Sequence, residues 1–399
     1  MPAGWAVWGG VLGDRAGERG WHEAGSQVMK TVLPRQEFQE ALTAAAALAG
    51  GRTTRPILGC VRLVAGEEGV EVSASDGEAG LRVRAPVLSV GEGGEAVVPA
   101  DRLLPIVREL EDVEISLEAD ERCCMIRGAG SEFRVFVMSP ADFPPVELFE
   151  GEADLVIDGA QLRRMVALTV YAAARESSRY AINGVLWEKR GRQLFLVATD
   201  GRRLARAGGS VSGGGGDFDV IVPAKAMAVF EKVFGTVARQ DGWTVDVKVM
   251  PSQMLLRSGD RQLATVLVEG HFPKYEDVIP KGHKRRARAG REALASAVRR
   301  AALLTTEESR AVRLNFAKDL LVITSQAPER GDARVELPIG YEGEPLEVGF
   351  NPAFLSDALR AMPFEEVLID LEEAYRPGVL SGEDRNDFLY VVMPVSLSG

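Results

Sequence analysis

The sequence predicts an α+β protein built from three copies of one unit of about 125 residues. Asp76-Gly77, in Ser-Ala-Ser-Asp-Gly, and Asp200-Gly201, in Val-Ala-Thr-Asp-Gly, stand 124 positions apart. Val98-Pro99-Ala100-Asp101 and Val222-Pro223-Ala224-Lys225 keep the same offset of 124. Phe350-Asn351-Pro352-Ala353 is a looser third copy, with Pro352 lying 129 positions after Pro223. A unit this long is no solenoid repeat, so each copy is expected to carry its own core. The expected division is an extension over 1–28 and domains over 29–151, 152–280 and 281–399.

Each copy reads as strand, helix, several strands, helix, several strands. The first helix of copy one follows Pro34. Phe38, Ala41, Leu42, Ala45 and Ala46 fall on one helical face there. Leu162, Met165, Val166, Thr169 and Val170 repeat the pattern, as do Leu294, Ala297, Val298, Ala301 and Ala302. The second helices follow the Val-Pro-Ala motif and its third-copy echo. Their stripes are Leu103, Ile106, Val107 and Leu110; Ala226, Val229, Phe230 and Val233; and Leu355, Ala358, Leu359 and Met362. Pro105 is expected within about the first turn, where proline is tolerated.

Strands are expected at Val70–Ser75, Gly80–Ala85, Leu194–Thr199, Gln262–Val268, Leu320–Thr324 and Ala333–Leu337. Turns are expected at Gly66–Gly69, Gly213–Gly216 and Gly331-Asp332, and at both Asp-Gly pairs. Two amphipathic helices beside many strands must share one face of the sheet. Arg163-Arg164 and Arg299-Arg300 then lie opposite the apolar stripes and project outward.

Composition bounds the function. With 46% apolar and 26% charged residues the chain is an ordinary soluble globular protein. No run of 18 apolar residues is present, so no membrane partner is expected. Residues 1–28 lack the continuous apolar stretch of a signal peptide. They hold three of the five tryptophans and read as an extension foreign to the repeat, disordered, docked as an arm, or left by a misassigned start before Met29. Cys60, Cys123 and Cys124 read as free thiols in a reducing cytoplasm. His22, His271 and His283 lack ligand-spaced partners, so neither metal nor cofactor is expected. There is no G-x-S-x-G elbow and no Walker A loop; Gly213–Gly216 reads as a floppy hairpin turn. The net charge of −11 opposes a polyanion in bulk. Lys281 to Arg291 nevertheless holds six basic residues and no acid, either as a solvated linker or as a phosphate-facing strip.

Val197-Ala198-Thr199-Asp200-Gly201-Arg202-Arg203-Leu204-Ala205 resembles the Ala-Thr-Asp-Gly-x-Arg-Leu-Ala segment of bacterial DNA polymerase III beta subunits, the sliding clamps. Arg55-Pro56-Ile57-Leu58-Gly59, Ala141-Asp142-Phe143-Pro144, Phe272-Pro273-Lys274-Tyr275 and the ending Tyr390-Val391-Val392-Met393-Pro394-Val395 are similar to further family motifs. The resemblance spans about residues 29–397, in order.

It implies three similar DNA-clamp domains per chain, and two chains forming a six-domain ring with helices inside and sheets outside. It implies a non-catalytic cytoplasmic, nucleoid-associated protein that encircles duplex DNA without sequence preference. Arg52, Arg179 and Tyr180 carry over from DNA-touching positions; Arg163, Arg164, Arg175, Arg299 and Arg300 join them on helix-face geometry, while Glu176 lies against that path. The resemblance also implies a groove between the second and third domains for short Gln-Leu-x-Leu-Phe-type peptides of clamp loader, replicative polymerase and repair proteins. Its positions here are Ile182, Thr199, Gly201, Arg202, Arg203, Leu204, Pro273, Val278, Asn351, Phe354, Tyr375, Pro377, Met393, Pro394, Val395 and Leu397. Ile182, Leu204, Val278 and Met393 would form its apolar pocket. Asp277 stands where well-known members carry arginine, Tyr375 is larger than usual, and Ser398-Gly399 run past the usual end. The dimer seam is expected near Leu103–Leu110 and 296–305. Two other readings remain: a specialised clamp paralogue in repair or drug tolerance, and a duplicated enzyme using Asp76 and Asp200 as carboxylates.

Overall fold

The structure, a computed structural model, describes residues 28–49, 54–175, 181–235, 242–305, 311–327 and 331–396. One element order recurs three times, with one strand fewer between the helices of copy two. Copy one runs β1 (Met29–Pro34), α1 (Arg35–Ala49), β2 (Cys60–Gly66), β3 (Gly69–Ser75), β4 (Ala79–Ala85), β5 (Ser89–Glu92), β6 (Gly94–Pro99), α2 (Ala100–Glu109), β7 (Glu114–Ala119), β8 (Cys123–Gly128) and β9 (Ser131–Phe136). Copy two runs β10 (Leu155–Asp158), α3 (Gly159–Thr169), β11 (Gly184–Arg190), β12 (Gln193–Thr199), β13 (Arg203–Ser210), β14 (Phe218–Pro223), α4 (Ala224–Phe234), β15 (Thr244–Val249), β16 (Gln253–Ser258) and β17 (Arg261–Val266). Copy three runs β18 (Arg285–Gly290), α5 (Arg291–Ala302), β19 (Val312–Ala317), β20 (Leu320–Ala327), β21 (Gly331–Pro338), β22 (Gly340–Glu342), β23 (Leu346–Phe350), α6 (Pro352–Ala361), β24 (Glu366–Leu371), β25 (Gly378–Ser381) and β26 (Phe388–Val392).

The described residues form two compact units, one from those up to Ala74 with Arg84–Pro144 and one from Ser75–Val83 with those from Pro145 onward. In the first, α1 and α2 pack together and a five-stranded sheet runs β5-β1-β7-β8-β9. In the second, β13 pairs with β26, from Arg203 opposite Val392 to Ala207 opposite Phe388. That ladder fuses strands of copies two and three into one nine-stranded sheet, β14-β11-β12-β13-β26-β25-β24-β18-β22. A four-stranded sheet, β21-β20-β19-β23, completes copy three.

Each helix buries most of the face its spacing requires, with Ala46, Ile106 and Ala302 half-buried and the half-buried Val170 just past α3; in α5 the buried residues are Leu294, Ala295, Ala297, Val298 and Ala301. The caps explain why the third copy of the motif is loose. Pro99 and Pro223 are the N-cap residues of α2 and α4. In α6, Asn351 is the N-cap, its side chain accepts from the Ala353 amide, and Pro352 moves inside the helix. Proline is well suited to that first helical position, having no N–H to satisfy.

Several expectations need correction. Pro105 lies in the second turn of α2 rather than the first, and it is exposed. The strand expected over Gln262–Val268 ends at Val266. Gly331-Asp332 is not a turn but the start of β21. The glycine run is not floppy. The buried Lys189 ammonium donates to the carbonyls of Gly215 (2.6 Å) and Gly216 (3.1 Å), and the Gly215 amide donates to Asp154 O. Gly213, at φ +116°, takes a conformation other residues avoid.

Most of the basic strip is a strand rather than a linker, and several of its cations are paired with carboxylates. Residues 285–290 form β18, between β24 and β22. Arg286 donates to Asp370 at 2.6 and 2.9 Å, and Lys284 pairs with Glu373 at 2.6 Å. Arg288 pairs with Glu366 at 2.9 Å, and the Arg291 guanidinium donates to the Phe364 carbonyl. Asp370 also receives Arg385, with His283 3.7 Å away. It is a buried carboxylate ringed by bases, which is the arrangement that makes its burial tolerable.

Burial works to raise the Asp370 pKa, but the Arg286 and Arg385 hydrogen bonds outweigh it and hold the carboxyl below its ordinary value. A depressed folded pKa gives stability that is complete above the unfolded value and lost as pH falls toward the folded one. Asp370→Asn is expected to cost about 2–3 kcal/mol near neutrality, less than a fully desolvated pair because both arginines reach water. Urea unfolding from about pH 6 to pH 3 should show the gap between wild type and variant closing below the unfolded value of about 3.9. A gap independent of pH would contradict the assignment.

Candidate functional site

The two Asp-Gly pairs form the same hairpin. Gly77 (φ +92°) and Gly201 (φ +85°) occupy the left-handed position that favours glycine. Asp76 accepts from the Glu78 and Ala79 amides, and Asp200 from those of Arg202 and Arg203. Ser75 and Thr199 hydroxyls receive the glycine amides, both at 3.1 Å. The carboxylates are thus spent on turn geometry. Asp76 further pairs with Lys225 at 2.5 Å, and Asp200 with Arg203 at 3.0 Å. Neither is placed as a catalytic acid or base. Among the described residues no group of three or more His, Cys, Asp or Glu could hold a metal, and no helix is long and apolar enough to cross a membrane.

The second hairpin opens onto the β13–β26 junction, where many expected groove residues converge. Leu204 faces Thr199 on one side and Val391 on the other. It is buried in a cluster with Tyr275, Val379 and Val391, against which Phe272 and Ile279 pack. The Met393 amide donates to the Arg202 carbonyl at 2.9 Å, carrying the end of β26 past the turn. Val278 and Met393 stay exposed at 48% and 42%, unusual for large apolar side chains beside a core. Ile182 is buried.

Arg203 organises the polar side. Its guanidinium bonds Asp200 (3.0 Å), Asp357 on α6 (2.8 Å) and the Tyr171 carbonyl (2.8 Å), and lies 4.6 Å from the Phe354 ring centre. Burial works to lower its pKa, but Asp357 foremost, with Tyr390 and Asp200, holds it above the ordinary value. The Tyr390 hydroxyl donates to the Phe354 carbonyl at 3.0 Å, and the Val395 amide to Gly349 O at 2.8 Å. Asn351, Phe354 and Val395 are tied to this junction through those bonds and the α6 cap. Tyr171, Asp357 and Tyr390 escaped sequence reasoning as site residues; only Tyr390 lay inside a recognised motif.

Tyr375 stands 75% exposed between β24 and β25, with Pro377 following it. A cavity of 740 Å³ between β11, β14 and residues 266–276 touches Pro273 alone among the expected groove residues. Leu397 lies outside the described residues.

The expected DNA-facing residues divide. Arg163, on α3, pairs with Glu231 on α4. Arg164 pairs with Asp387 at 2.8 Å. Arg175, Arg299 and Arg300 are exposed and have no ion-pair partner among the described residues. The last two occupy the final turn of α5, where cations also complement the helix dipole. Arg52, Glu176, Arg179 and Tyr180 lie outside the described residues, as do residues 1–27 and Ser398-Gly399.

Comparison with known proteins places the whole repeat. Residues 29–147, 156–274 and 276–396 match the N-terminal, central and C-terminal domains of the DNA polymerase III beta subunit. The beta sliding clamp of Vibrio cholerae is 31% identical over 372 residues, covering 92% of this chain and all of that one. That of Pseudomonas aeruginosa is 32% identical over 373 residues, with the same coverage. Among solved structures, the DNA polymerase III beta subunit of Pseudomonas aeruginosa superposes with a TM-score of 0.83 at 30% identity, over 92% of this chain and all of that one. The Thermotoga maritima subunit gives 0.85 at 25% identity, over 93% of this chain and all of that one. A Pseudomonas aeruginosa sliding clamp bound to griselimycin gives 0.84 at 31% identity, over 92% of this chain and all of that one.

Proposed function

The chain belongs to the DNA polymerase III beta subunit family, the beta sliding clamps, and we propose that two copies of it close into a ring around duplex DNA. It is a DNA sliding clamp, a non-catalytic processivity factor of DNA polymerase III. Its domains run over 29–151, 152–280 and 281–399 in this reading. The partner copy would cover apolar surface such as Leu303, which is 76% exposed just past α5. The place of work is the cytoplasm at the nucleoid, to be read from co-localisation of a fluorescent fusion with DNA.

The junction of β13 with β26 is the groove for short peptides of the polymerase, the clamp loader and repair proteins. What carries this reading is the pair of exposed apolar side chains, Val278 and Met393, beside the buried Leu204 cluster. A leucine or phenylalanine anchor would bury them, and a desolvated apolar pocket is where binding energy concentrates. Met393 lets the pocket adapt to varied anchors. Arg202, Arg203, Asn351, Phe354, Tyr375 and Pro377 then form its polar and aromatic rim.

Arg299, Arg300 and Arg175, together with Arg52, Arg179 and Tyr180, supply sequence-independent phosphate contacts. Arg163 and Arg164, already paired, contribute less.

Fluorescence polarisation of a Gln-Leu-x-Leu-Phe-type peptide is expected to show saturable binding to wild type. Leu204→Ala with Met393→Ala should weaken it at least about tenfold; equal binding by both would remove the groove from this junction. Duplex affinity titrated between about 50 and 200 mM salt should lose about one unit of logarithmic slope per arginine in Arg299→Ala with Arg300→Ala. An unchanged slope would mean that those arginines do not face phosphates.

A further inference from the structure

The chain repeats the groove junction once more, between its first and second copies. There β4 pairs with β17 as β13 pairs with β26. A row runs across the strands from Gly80 to Ala264 to Leu255. Its counterpart runs from Leu204 to Val391 to Val379. Each row follows an Asp-Gly hairpin of the same geometry. Each is crossed by a linker of the same design: Phe143-Pro144 and Phe272-Pro273 stand 129 positions apart, as do Val146 and Tyr275, and Phe149 and Val278.

The two junctions differ in what fills them. At the groove, Tyr275 is buried against Leu204 while Val278 is left exposed. At the other junction, Val146 is seated over Gly80 so closely that a Cβ there would come within 2.6 Å of it. Phe149 is 5% exposed, buried with Leu255 and Ala264, and the Met250 side chain packs against them. The Arg257 guanidinium lies 4.2 Å from its ring centre, and its amide donates to the Gln262 side chain at 3.1 Å. The Lys225–Asp76 ion pair closes the hairpin beside it.

We infer that this first junction is a second peptide groove occupied by the chain itself, with Phe149 as its built-in anchor. Val146-Glu147-Leu148-Phe149 has the apolar-x-apolar-phenylalanine spacing of the peptides assigned to the open groove. The inference rests on that assignment for its ligand class. It explains why duplicated junctions leave one open site per chain: the linker after copy one ends in phenylalanine and fills its pocket, while the linker after copy two ends in valine and does not. The ligand for the uncovered first junction is therefore the same class, a short peptide with a leucine or phenylalanine anchor.

Two variants test this. In the Leu204→Ala, Met393→Ala background, adding Phe149→Ala is expected to restore saturable binding of the Gln-Leu-x-Leu-Phe-type peptide at one per chain. A folded triple variant that binds none overturns the inference. The reciprocal change, Val278→Phe, places an anchor in the open groove and sits at the surface, so folding is not at risk. It is expected to lower peptide affinity by about tenfold or more and to raise Tm by about 2 °C or more, because the new ring buries itself. Loss of binding without a rise in Tm would be a steric clash and would count against the inference, as would unchanged affinity. The Tm readout needs no peptide. If wild type binds no peptide, the open groove is wrong, and the Tm of Val278→Phe still decides self-occupation.

Discussion

The β13–β26 ladder is the constraint on which the site depends. It joins two copies of one repeat by backbone hydrogen bonds, which hold position more tightly than loop contacts do. Because it runs from Arg203 opposite Val392 to Ala207 opposite Phe388, it fixes Leu204 against Val391 and carries Met393 past the hairpin. The hairpin itself is set by Gly201 and by Asp200 accepting two amides. Arg203 then couples hairpin, α6 and the Tyr171 segment through a half-buried guanidinium whose donors are largely taken. The hairpin side of the proposed groove is therefore held in place, and its adaptability is left to Met393.

The charge distribution suits a ring that must hold DNA without gripping it. The chain is acidic overall, yet most of its conspicuous arginines are engaged internally. Asp370 draws in Arg286 and Arg385, and other members of β18 pair with Glu373 and Glu366 on neighbouring elements. Internal pairing removes these cations from competition for phosphate. In the proposed ring, unpaired arginines such as Arg299 and Arg300 on α5 would leave a weak attraction, screened by salt. Weak contacts allow sliding, and a closed ring makes retention independent of their strength.

The repeat and its helices were legible because they are written locally, in apolar spacing and in two markers at one offset. The Asp-Gly turns were legible for the same reason. What the sequence hid lies in long-range pairing. The basic strip looked unsatisfied because Asp370, which Arg286 bonds, is 84 residues away. Arg203 and Asp357 are 154 residues apart, so nothing in either neighbourhood announces their contact. Leu204 and Met393 came from resemblance to a family and not from pattern; periodicity alone would have sent Leu204 to the core, where it indeed sits. The internal plug was hidden too, since Phe149 becomes a counterpart of Val278 only once β4 and β17 are seen to pair.

Residence time on DNA of two topologies tests the central claim most directly. Labelled chain would be loaded onto nicked circular duplex and its half-life followed before and after a single cut linearises the circle. A topological clamp should persist on the circle even when added salt suppresses phosphate contacts, and should run off the ends after cutting. Equal half-lives on circular and linear DNA would mean that the chain holds DNA by affinity, and the ring would have to be abandoned.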